Sequence, residues 1–488
     1  MVDRRVGCAV ALLALLAAAG AAAAAPTEPC RLNGIDREVQ CGRVSVAEDP
    51  DRADGRRIEV HFAVVPALAR ARALEPVFVL AGGPGQSARR LAGQVQPLFA
   101  RLNARRDIVY VDQRGTGASN ALDCEPERPP PTQRLADALD AKKTAARTRD
   151  CLRRLAASHD LRQYTTWIAV RDLEAVRSAL GHARINLWGA SYGSRAALEY
   201  LRQFPRHVRS VVLDGAAPPD MALPASFARD AEASLQARLA ACAADPACAA
   251  RFPALDASLE RLVTRAGGEG FVADVAHPLT GRVERVRIDR ATLAAALRVP
   301  LYSPSLAALL PHAVAEAAGG NAAPLLAVAA SLGSGVAENF AEGMHYAVVC
   351  AEDMPRVDAA TRAALAASRF GTDFIAPYDE ACAQVASRPV PEAFYRAPEA
   401  DVPVLILSGG ADPATPPRHG EALAGRLKRA THAVAPNLGH GVSMHGCGPA
   451  LVTGFIRNAG AAGLDADCLG KLPAPTVFAP PSPPEARR

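Results

Sequence analysis

A serine flanked by glycines is the first feature of this sequence that could do covalent chemistry. Ser191 lies in the pentapeptide Gly189-Ala190-Ser191-Tyr192-Gly193. An apolar run at 185–188 precedes it and predicts a buried strand, and a run of good helix formers follows as far as Pro205. This context is typical of a nucleophile elbow, where a sharp turn leaves the serine hydroxyl within reach of a base. The alternative is a glycine-rich turn with an incidental serine.

A serine nucleophile needs a histidine base and an acid that orients the histidine, and in such sheets the chain order is serine, acid, histidine. The apolar strand predicted at 402–407 leads to Asp412, and the strand predicted at 431–435 leads to His440 between two glycines. Because loops at the carboxyl ends of parallel strands share one crevice, we expect these residues to converge on Ser191. Three alternatives remain: Asp214 for the acid, and His432 and His445 for the base.

These residues predict acyl transfer. Ser191 would attack a carbonyl carbon, His440 would take its proton and pass it to the leaving group, and Asp412 would stabilise the imidazolium. The negatively charged intermediate needs two N–H donors. We expect one from the backbone of Tyr192 and the other from Gly83, in the loop Gly82-Gly83-Pro84-Gly85, for which a simple tight turn is the alternative.

The elements that must position these residues follow from the apolar pattern. Strands are predicted at 58–65, 76–80, 107–111 and 208–213, with helices around 139–157 and 167–180. Strands that alternate with helices predict a mostly parallel sheet covered by helices. From 218 to 397 the spacing is helical, apart from a strand-like insert near 271–289, so the predicted fold is α/β with a large helical cap between two late strands.

The predicted organisation has five parts: a signal peptide at 1–25, the first part of the core at 26–217, the cap at 218–397, the second part of the core at 398–471, and a Pro-rich tail at 472–488. The signal peptide is indicated by Arg4 and Arg5, the apolar stretch 6–19 and the small residues before Pro26. No later segment is long and apolar enough to span a membrane, so we expect no stable membrane anchor after cleavage.

Composition excludes other classes of function. The net charge is +5 over 488 residues, and no basic block is interleaved with aromatic residues, so nucleic-acid binding is not expected. Without Cys8, ten of the eleven cysteines remain, and neighbours in the chain suggest these disulfides: Cys30–Cys41, Cys124–Cys151, Cys242–Cys248, Cys350–Cys382 and Cys447–Cys468. Disulfides indicate an oxidising compartment, hence a periplasmic or secreted protein. No Cys-x-x-Cys spacing indicates a metal site.

Together the motifs resemble the α/β-hydrolase family of proline iminopeptidases and secreted tripeptidyl aminopeptidases. The resemblance covers nearly the whole mature chain and is carried by four segments: 81–85, 112–119, 189–194, and 409–413 with 439–441. One departure is Ala81, where relatives often have a histidine that is expected to order the oxyanion loop. Asp112 and Arg114 are expected to tie loops together.

The resemblance implies that acidic residues of the cap bind the free amino terminus of a peptide. Glu352 is the candidate in the segment 349–355, with Asp353 second; the alternative is an exposed acidic turn held by Cys350. A buried ammonium must be paired with a carboxylate, which is the physical reason for such residues. A Glu352 carboxylate facing the pocket would favour an aminopeptidase, and one facing solvent would favour an esterase.

The sequence thus predicts an exported serine hydrolase that cleaves peptides from a free N-terminus through an acyl-enzyme, as a tripeptidyl or prolyl aminopeptidase. The alternative is a carboxylesterase that acts on small esters with the same triad. A non-catalytic binding protein on the same fold is disfavoured, because serine, acid and histidine are all retained in order. The expected partners are peptide substrates, and no metal or organic cofactor is implied.

Overall fold

A nine-stranded sheet forms the centre of the molecule. The computed structural model describes residues 27–52, 54–69, 74–331, 340–371 and 374–480. In chain order the strands are β1 (Thr27–Cys30), β2 (Val39–Ala47), β3 (Arg57–Val65), β4 (Leu74–Leu80), β5 (Arg106–Val111), β6 (Ile185–Ala190), β7 (Val208–Asp214), β8 (Phe271–Ala276), β9 (Val283–Ile288), β10 (Val404–Gly409) and β11 (Ala430–Ala435).

The order across the sheet is β1-β2-β3-β5-β4-β6-β7-β10-β11. The strands from β5 to β11 in this order run parallel, and β1, β2 and β3 add to the edge in antiparallel pairs. The predicted α/β fold with a mostly parallel sheet is therefore confirmed. The sequence analysis missed β1 and β2, which extend the sheet beyond its parallel part.

Helices occupy much of the remaining chain. They are α1 (Ala88–Val95), α2 (Leu135–Ala138), α3 (Ala141–Ser158), α4 (Thr166–Ala179), α5 (Tyr192–Gln203), α6 (Ala225–Ala244), α7 (Pro246–Arg251), α8 (Leu255–Gly267), α9 (Arg290–Leu301), α10 (Pro304–Ala307), α11 (Leu310–Ala318), α12 (Ala323–Ala330), α13 (Glu342–Glu352), α14 (Ala359–Ala366), α15 (Ala376–Cys382), α16 (Pro417–Ala424) and α17 (Gly448–Asn458). Side-chain oxygens cap several N-termini, as Ser87 does for α1 by accepting from Arg90 N at 3.1 Å.

Both faces of the parallel sheet are buried against helices. Successive side chains of a strand point to opposite faces, and in β4 Val77 and Val79 pack in one core with residues of α1 and α17. Phe78 and Leu80 pack in the other core with residues of α4, α5 and α16. This burial explains why the parallel strands are continuous apolar runs, a pattern that could be recognised in the sequence.

The cap lies in the chain between β7 and β10, although these two strands are neighbours in the sheet. It consists of helices with the antiparallel hairpin β8–β9, and it buries an apolar core of its own. The alternating burial of β8 and β9 corresponds to the strand-like insert expected near 271–289. The cap also contacts loops at the carboxyl ends of the strands, where Tyr302 O accepts from His440 N and Phe340 pairs with Gln86.

The five cysteine pairs expected from the sequence are disulfides in the structure: Cys30–Cys41, Cys124–Cys151, Cys242–Cys248, Cys350–Cys382 and Cys447–Cys468. The predicted signal peptide at 1–25 and the end of the tail at 481–488 lie outside the described residues. Within the described ranges, no helix has the combined length and hydropathy needed to cross a bilayer.

Candidate active site

Ser191 lies in the sharp turn between β6 and α5. Its φ of 54° and ψ of −125° are strained for a residue with a side chain. The turn is fixed by Ser191 N, which donates to Asp214 O at 2.9 Å. The glycines on either side are required by close contacts: a Cβ at Gly193 would overlap Leu80 O, and one at Gly189 would overlap Gly193 O.

Asp412 and His440 are in direct contact, with 2.8 Å between Asp412 Oδ2 and His440 Nδ1. The buried carboxylate accepts three further hydrogen bonds, to Oδ1 from Ala414 N (2.7 Å) and Thr415 N (2.9 Å), and to Oδ2 from Thr415 Oγ1 (2.8 Å). Burial by itself would raise the pKa of Asp412, but the charge and hydrogen bond of His440 and the backbone donors outweigh it and lower the pKa. Asp412 is therefore held ionised.

His440 lies at the end of the loop after β11, with a side chain that is 18% exposed. Burial opposes its protonation, yet the nearby charge of Asp412, the hydrogen bond to Asp412 and the charge of Asp214 together raise its pKa. The cap also holds this residue, because His440 N donates to Tyr302 O at 3.1 Å and the two rings lie edge to face at 5.2 Å. The sequence analysis missed both Tyr302 and Thr415.

The alternative acid and bases occupy other positions. The Asp214 carboxylate accepts from Val442 N at 2.7 Å, from Ser443 N at 3.0 Å and from the Ser443 hydroxyl, so it anchors the loop that follows His440. His432 bonds to Ser408 Oγ at 3.0 Å on the neighbouring strand, and His445 is exposed. Asp412 and His440 are therefore the acid and histidine that the structure brings together.

Ser191, Gly83, Tyr192 and Thr415 line one small cavity. Tyr192 is the first residue of α5, where backbone N–H groups lack helical partners and the helix dipole favours negative charge. The loop with Gly83 lies against the serine, because a Cβ at Gly82 would be 3.2 Å from Ser191 Cβ. The Ser191 hydroxyl has no hydrogen-bond partner among the described residues, so the structure shows no hydrogen bond between Ser191 and His440.

The rest of this cavity is mostly apolar, with one charged group. Its remaining lining residues are Arg195, Ala217, Met221, Leu223 and Phe227. Arg195 follows the serine by one turn of α5 and donates to Met221 O at 2.7 Å. The cavity therefore combines an apolar wall with a buried guanidinium.

Glu352 and Asp353 are both fully buried, so the expected alternative of an exposed acidic turn is wrong. Glu352 Oε1 accepts from Thr166 N at 2.6 Å and Oε2 accepts from Thr166 Oγ1 at 2.9 Å, while Asp353 accepts from Arg195 at 3.0 Å. Neither carboxylate is among the residues that line the cavity. They approach it through Arg195 and Tyr192, whose hydroxyl lies 2.6 Å from Thr166 Oγ1.

Burial raises the pKa of Glu352 to about 8, and the neighbouring charge of Asp353 adds to this effect. Arg195, 3.7 Å from Glu352 Oε2, and the donors of Thr166 act in the opposite direction without cancelling it. The Glu352 carboxyl is thus poised to exchange a proton near neutral pH.

Asp112 and Arg114 connect loops behind the site. Asp112 accepts from Ser87 Oγ at 2.6 Å, and Arg114 pairs with Asp172 at 2.6 Å and donates to Glu48 O at 2.7 Å. Among the residues that the structure describes, no group of three or more His, Cys, Asp or Glu side chains is arranged to hold a metal ion.

Comparisons with known proteins agree with this geometry. Residues 75–268 match the family model for the alpha/beta hydrolase fold, and residues 367–468 match the model described as TAP-like protein. Serine protease Hip1 of Mycobacterium tuberculosis is 29% identical over 207 residues, which cover 39% of each chain. Tripeptidyl aminopeptidase of Streptomyces lividans is 29% identical over 198 residues, 38% of this chain and 36% of that protein.

Carboxylesterase B of Mycobacterium tuberculosis is 30% identical over 227 residues, 43% of each chain. The matched part of this chain thus spans about two fifths of the length of these curated relatives. The sharp strand-to-helix turn at Ser191, the mostly parallel sheet and the two matched models all indicate the same fold. The chain has the α/β-hydrolase fold, and residues 367–468 are similar to TAP-like proteins.

Proposed function

We propose that this protein is an exported serine aminopeptidase of the tripeptidyl or prolyl type. It removes residues from the free N-terminus of peptides through an acyl-enzyme, with Ser191 as nucleophile, His440 as base and Asp412 as the orienting acid. Two named relatives, a serine protease and a tripeptidyl aminopeptidase, support this class of activity. Five disulfides support the exported location, since disulfides persist in oxidising compartments.

The proposed reaction follows from the contact between Asp412 and His440. Because His440 Nδ1–H donates a hydrogen bond to Asp412, Nε2 is left as the free acceptor. Ser191 Oγ attacks the scissile carbonyl carbon while Nε2 takes the hydroxyl proton, and the N–H groups of Gly83 and Tyr192 stabilise the oxyanion. The imidazolium then protonates the leaving amine, and water, activated by the same histidine, hydrolyses the acyl-enzyme.

The observation that carries the aminopeptidase proposal is the buried acidic pair behind the cavity. Glu352 and Asp353 place two carboxylates around one guanidinium, that of Arg195, which lines the cavity with Ser191. When both carboxylates are ionised, the cluster carries excess negative charge in a buried setting. A substrate ammonium would compensate this charge and would favour the ionised form of Glu352.

The apolar wall supports a choice of residue at the scissile bond. Ala217, Met221, Leu223 and Phe227 provide the apolar surface near Ser191. A small apolar or prolyl side chain at the acyl position would match the apolar chemistry of this wall, because burying it requires no polar partner. We therefore expect proline and alanine to be preferred over charged residues before the cleaved bond.

The test compares the mature protein with its Ser191→Ala variant on three chromogenic substrates: a proline anilide, an Ala-Ala-Pro anilide with a free amine, and the N-blocked form of the tripeptide. The proposal predicts cleavage of a free-amine substrate, none of the blocked form, and none by Ser191→Ala. Glu352→Gln should raise KM for the free-amine substrate, whereas Glu380→Gln, at an exposed carboxyl of the cap, should not.

The second candidate is a carboxylesterase, which the likeness to Carboxylesterase B favours. The two candidates share the elbow and the Asp412–His440 contact, so only the substrate separates them. Serine-dependent hydrolysis of nitrophenyl esters, with no cleavage of any anilide, would refute the peptidase and establish the esterase.

A further inference from the structure

A segment of the cap packs directly on the loop Gly82–Gln86, which we call the glycine loop. Phe340 forms an antiparallel bridge with Gln86, and Ala341 N donates to Gly85 O at 2.9 Å. The contact is close, since a Cβ at Gly85 would lie 2.7 Å from Ala341 O. The cap segment at Phe340 and Ala341 therefore packs directly against the backbone of the glycine loop.

The glycine loop depends on outside contacts for its shape. Gly83 and Gly85 have φ values of 109° and 117°, a region that glycine enters freely together with many other conformations. Within the loop, Gln86 N donates to Gly82 O at 3.2 Å. The Gly83 N–H shares a peptide plane with the Gly82 carbonyl, so its direction depends on how firmly the carbonyl groups of the whole loop are held.

His345 of α13 holds one of these carbonyl groups. Its Nδ1 lies 3.2 Å from Pro84 O, and its Nε2 lies 3.1 Å from the hydroxyl of Tyr378 on α15. The ring is buried and packs against Phe340 at 5.3 Å and Tyr378 at 5.7 Å. His345 therefore joins the glycine loop to two separate elements of the cap.

The hydrogen-bond partners fix the tautomer of this histidine. Pro84 O can only accept, so Nδ1 carries the proton, and Nε2 accepts from the hydroxyl of Tyr378. Burial lowers the pKa of His345 to about 4, so the ring stays neutral at neutral pH. At neutral pH, His345 Nδ1–H is therefore always the donor and Pro84 O the acceptor of this hydrogen bond.

We propose that His345 is a positioning residue for the reaction: from the cap, it fixes the Pro84 carbonyl and so aims the Gly83 N–H at the developing oxyanion. This inference rests on the proposed function, in which Gly83 supplies one of the two oxyanion donors. The cap then contributes to the transition state as well as to the binding of substrate.

The test begins with His345→Phe, which keeps an aromatic ring of similar size and removes both hydrogen bonds. Losing a whole oxyanion donor lowers kcat about 100- to 1,000-fold, so a misdirected donor is expected to lower kcat about 10- to 100-fold, with KM changed less than about threefold. His345→Asn places an amide N–H near the position of Nδ1 and should recover part of kcat. Tyr346→Phe is the matched control, since Tyr346 packs on the same ring at 5.6 Å and has no bond to the glycine loop.

A second measurement distinguishes a misdirected oxyanion donor from a general loss of stability. A peptide boronate forms a tetrahedral adduct with a catalytic serine, so its inhibition constant should rise across the variants in proportion to the loss of kcat/KM. Equal effects of His345→Phe and Tyr346→Phe on kcat, or a change in KM alone, would overturn the proposal. If His345→Phe fails to fold, Tyr378→Phe serves instead: it is expected to lower kcat about fivefold through the loosened ring, and an unchanged kcat would overturn the proposal.

The substrate is chosen so that the two proposals fail separately. If the wild type cleaves esters but no anilide, the aminopeptidase proposal is refuted, and the same variants are then compared on nitrophenyl esters. Esters and amides both pass through an oxyanion, so the role of His345 is judged on either substrate.

Discussion

Replacing Glu352 with glutamine is expected to make the stability of the protein less sensitive to a rise in pH between about 4.5 and 8. Glu352 is fully buried among Thr166, Arg195 and Asp353, and burial raises its pKa from 4.5 to about 8. Glutamine has the shape of the protonated carboxyl: its oxygen can accept from Thr166 N, and its amide can donate to Thr166 Oγ1. The variant therefore fixes the uncharged form at every pH.

The direction of this pH dependence of stability follows from proton linkage. A carboxyl with a higher pKa in the folded protein than in the unfolded chain binds its proton more tightly when folded. Its contribution to stability is fully present below about pH 4.5 and is lost as the pH rises through about 8. Each pH unit inside this window changes the free energy of unfolding by about 1.4 kcal/mol, so the step from pH 5.5 to 7.5 is worth on the order of 3 kcal/mol.

The assay is urea unfolding of the wild type, Glu352→Gln and Glu380→Gln at pH 5.5, 6.5 and 7.5. Relative to Glu352→Gln, the wild type should lose on the order of 3 kcal/mol across this range, a shift of about 1 M in the urea midpoint if the slope is about 3 kcal/mol per M. Glu380→Gln should follow the wild type, because that carboxyl is exposed. A constant difference between wild type and Glu352→Gln would refute the reasoning, because it would mean that the folded protein keeps Glu352 ionised throughout.

Three further substitutions test the site. Asp412→Asn should keep the fold but lower kcat about 10,000-fold on any substrate that Ser191 cleaves, since the amide favours the wrong tautomer of His440; a loss below 10-fold would contradict the assigned acid. Thr415→Val should lower kcat about 10-fold, because Asp412 loses its 2.8 Å hydroxyl donor; steady-state kinetics with unchanged kcat would remove Thr415 from the site. Gly193→Ala should yield no soluble folded protein, because the new Cβ would overlap Leu80 O, and a normal circular dichroism melt would show that the turn can relax.

The contact of Asp412 with His440 was predictable from the sequence because each residue follows an apolar strand. Parallel buried strands are continuous apolar runs, and their carboxyl ends share one edge, so chain order and strand ends were sufficient. The disulfides were predictable for a similar reason, since each cysteine pairs with a near neighbour in the chain. Thr415 could also have been found, because a hydroxyl three residues after an aspartate is a common local donor.

Contacts between the cap and the core could not be predicted in this way. Glu352 meets Thr166 across 186 residues of sequence, and His345 meets Pro84 across 261. A local sequence pattern cannot predict such pairs, because they depend on how whole helices pack against one another. This is why the sequence left open whether Glu352 faces the pocket or solvent, whereas the structure buries it behind Arg195. Its role at the substrate ammonium stays a prediction.

The position of the cap in the chain determines the order in which the candidate catalytic residues are synthesised. Strands β7 and β10 are neighbours in the sheet, yet the whole cap is translated between them. A nascent polypeptide that has completed the cap carries the serine elbow but has neither Asp412 nor His440. Under the proposed mechanism such an unfinished chain lacks the base and the acid, so activity on peptides is expected only after the residues that follow β10 and β11 have been synthesised.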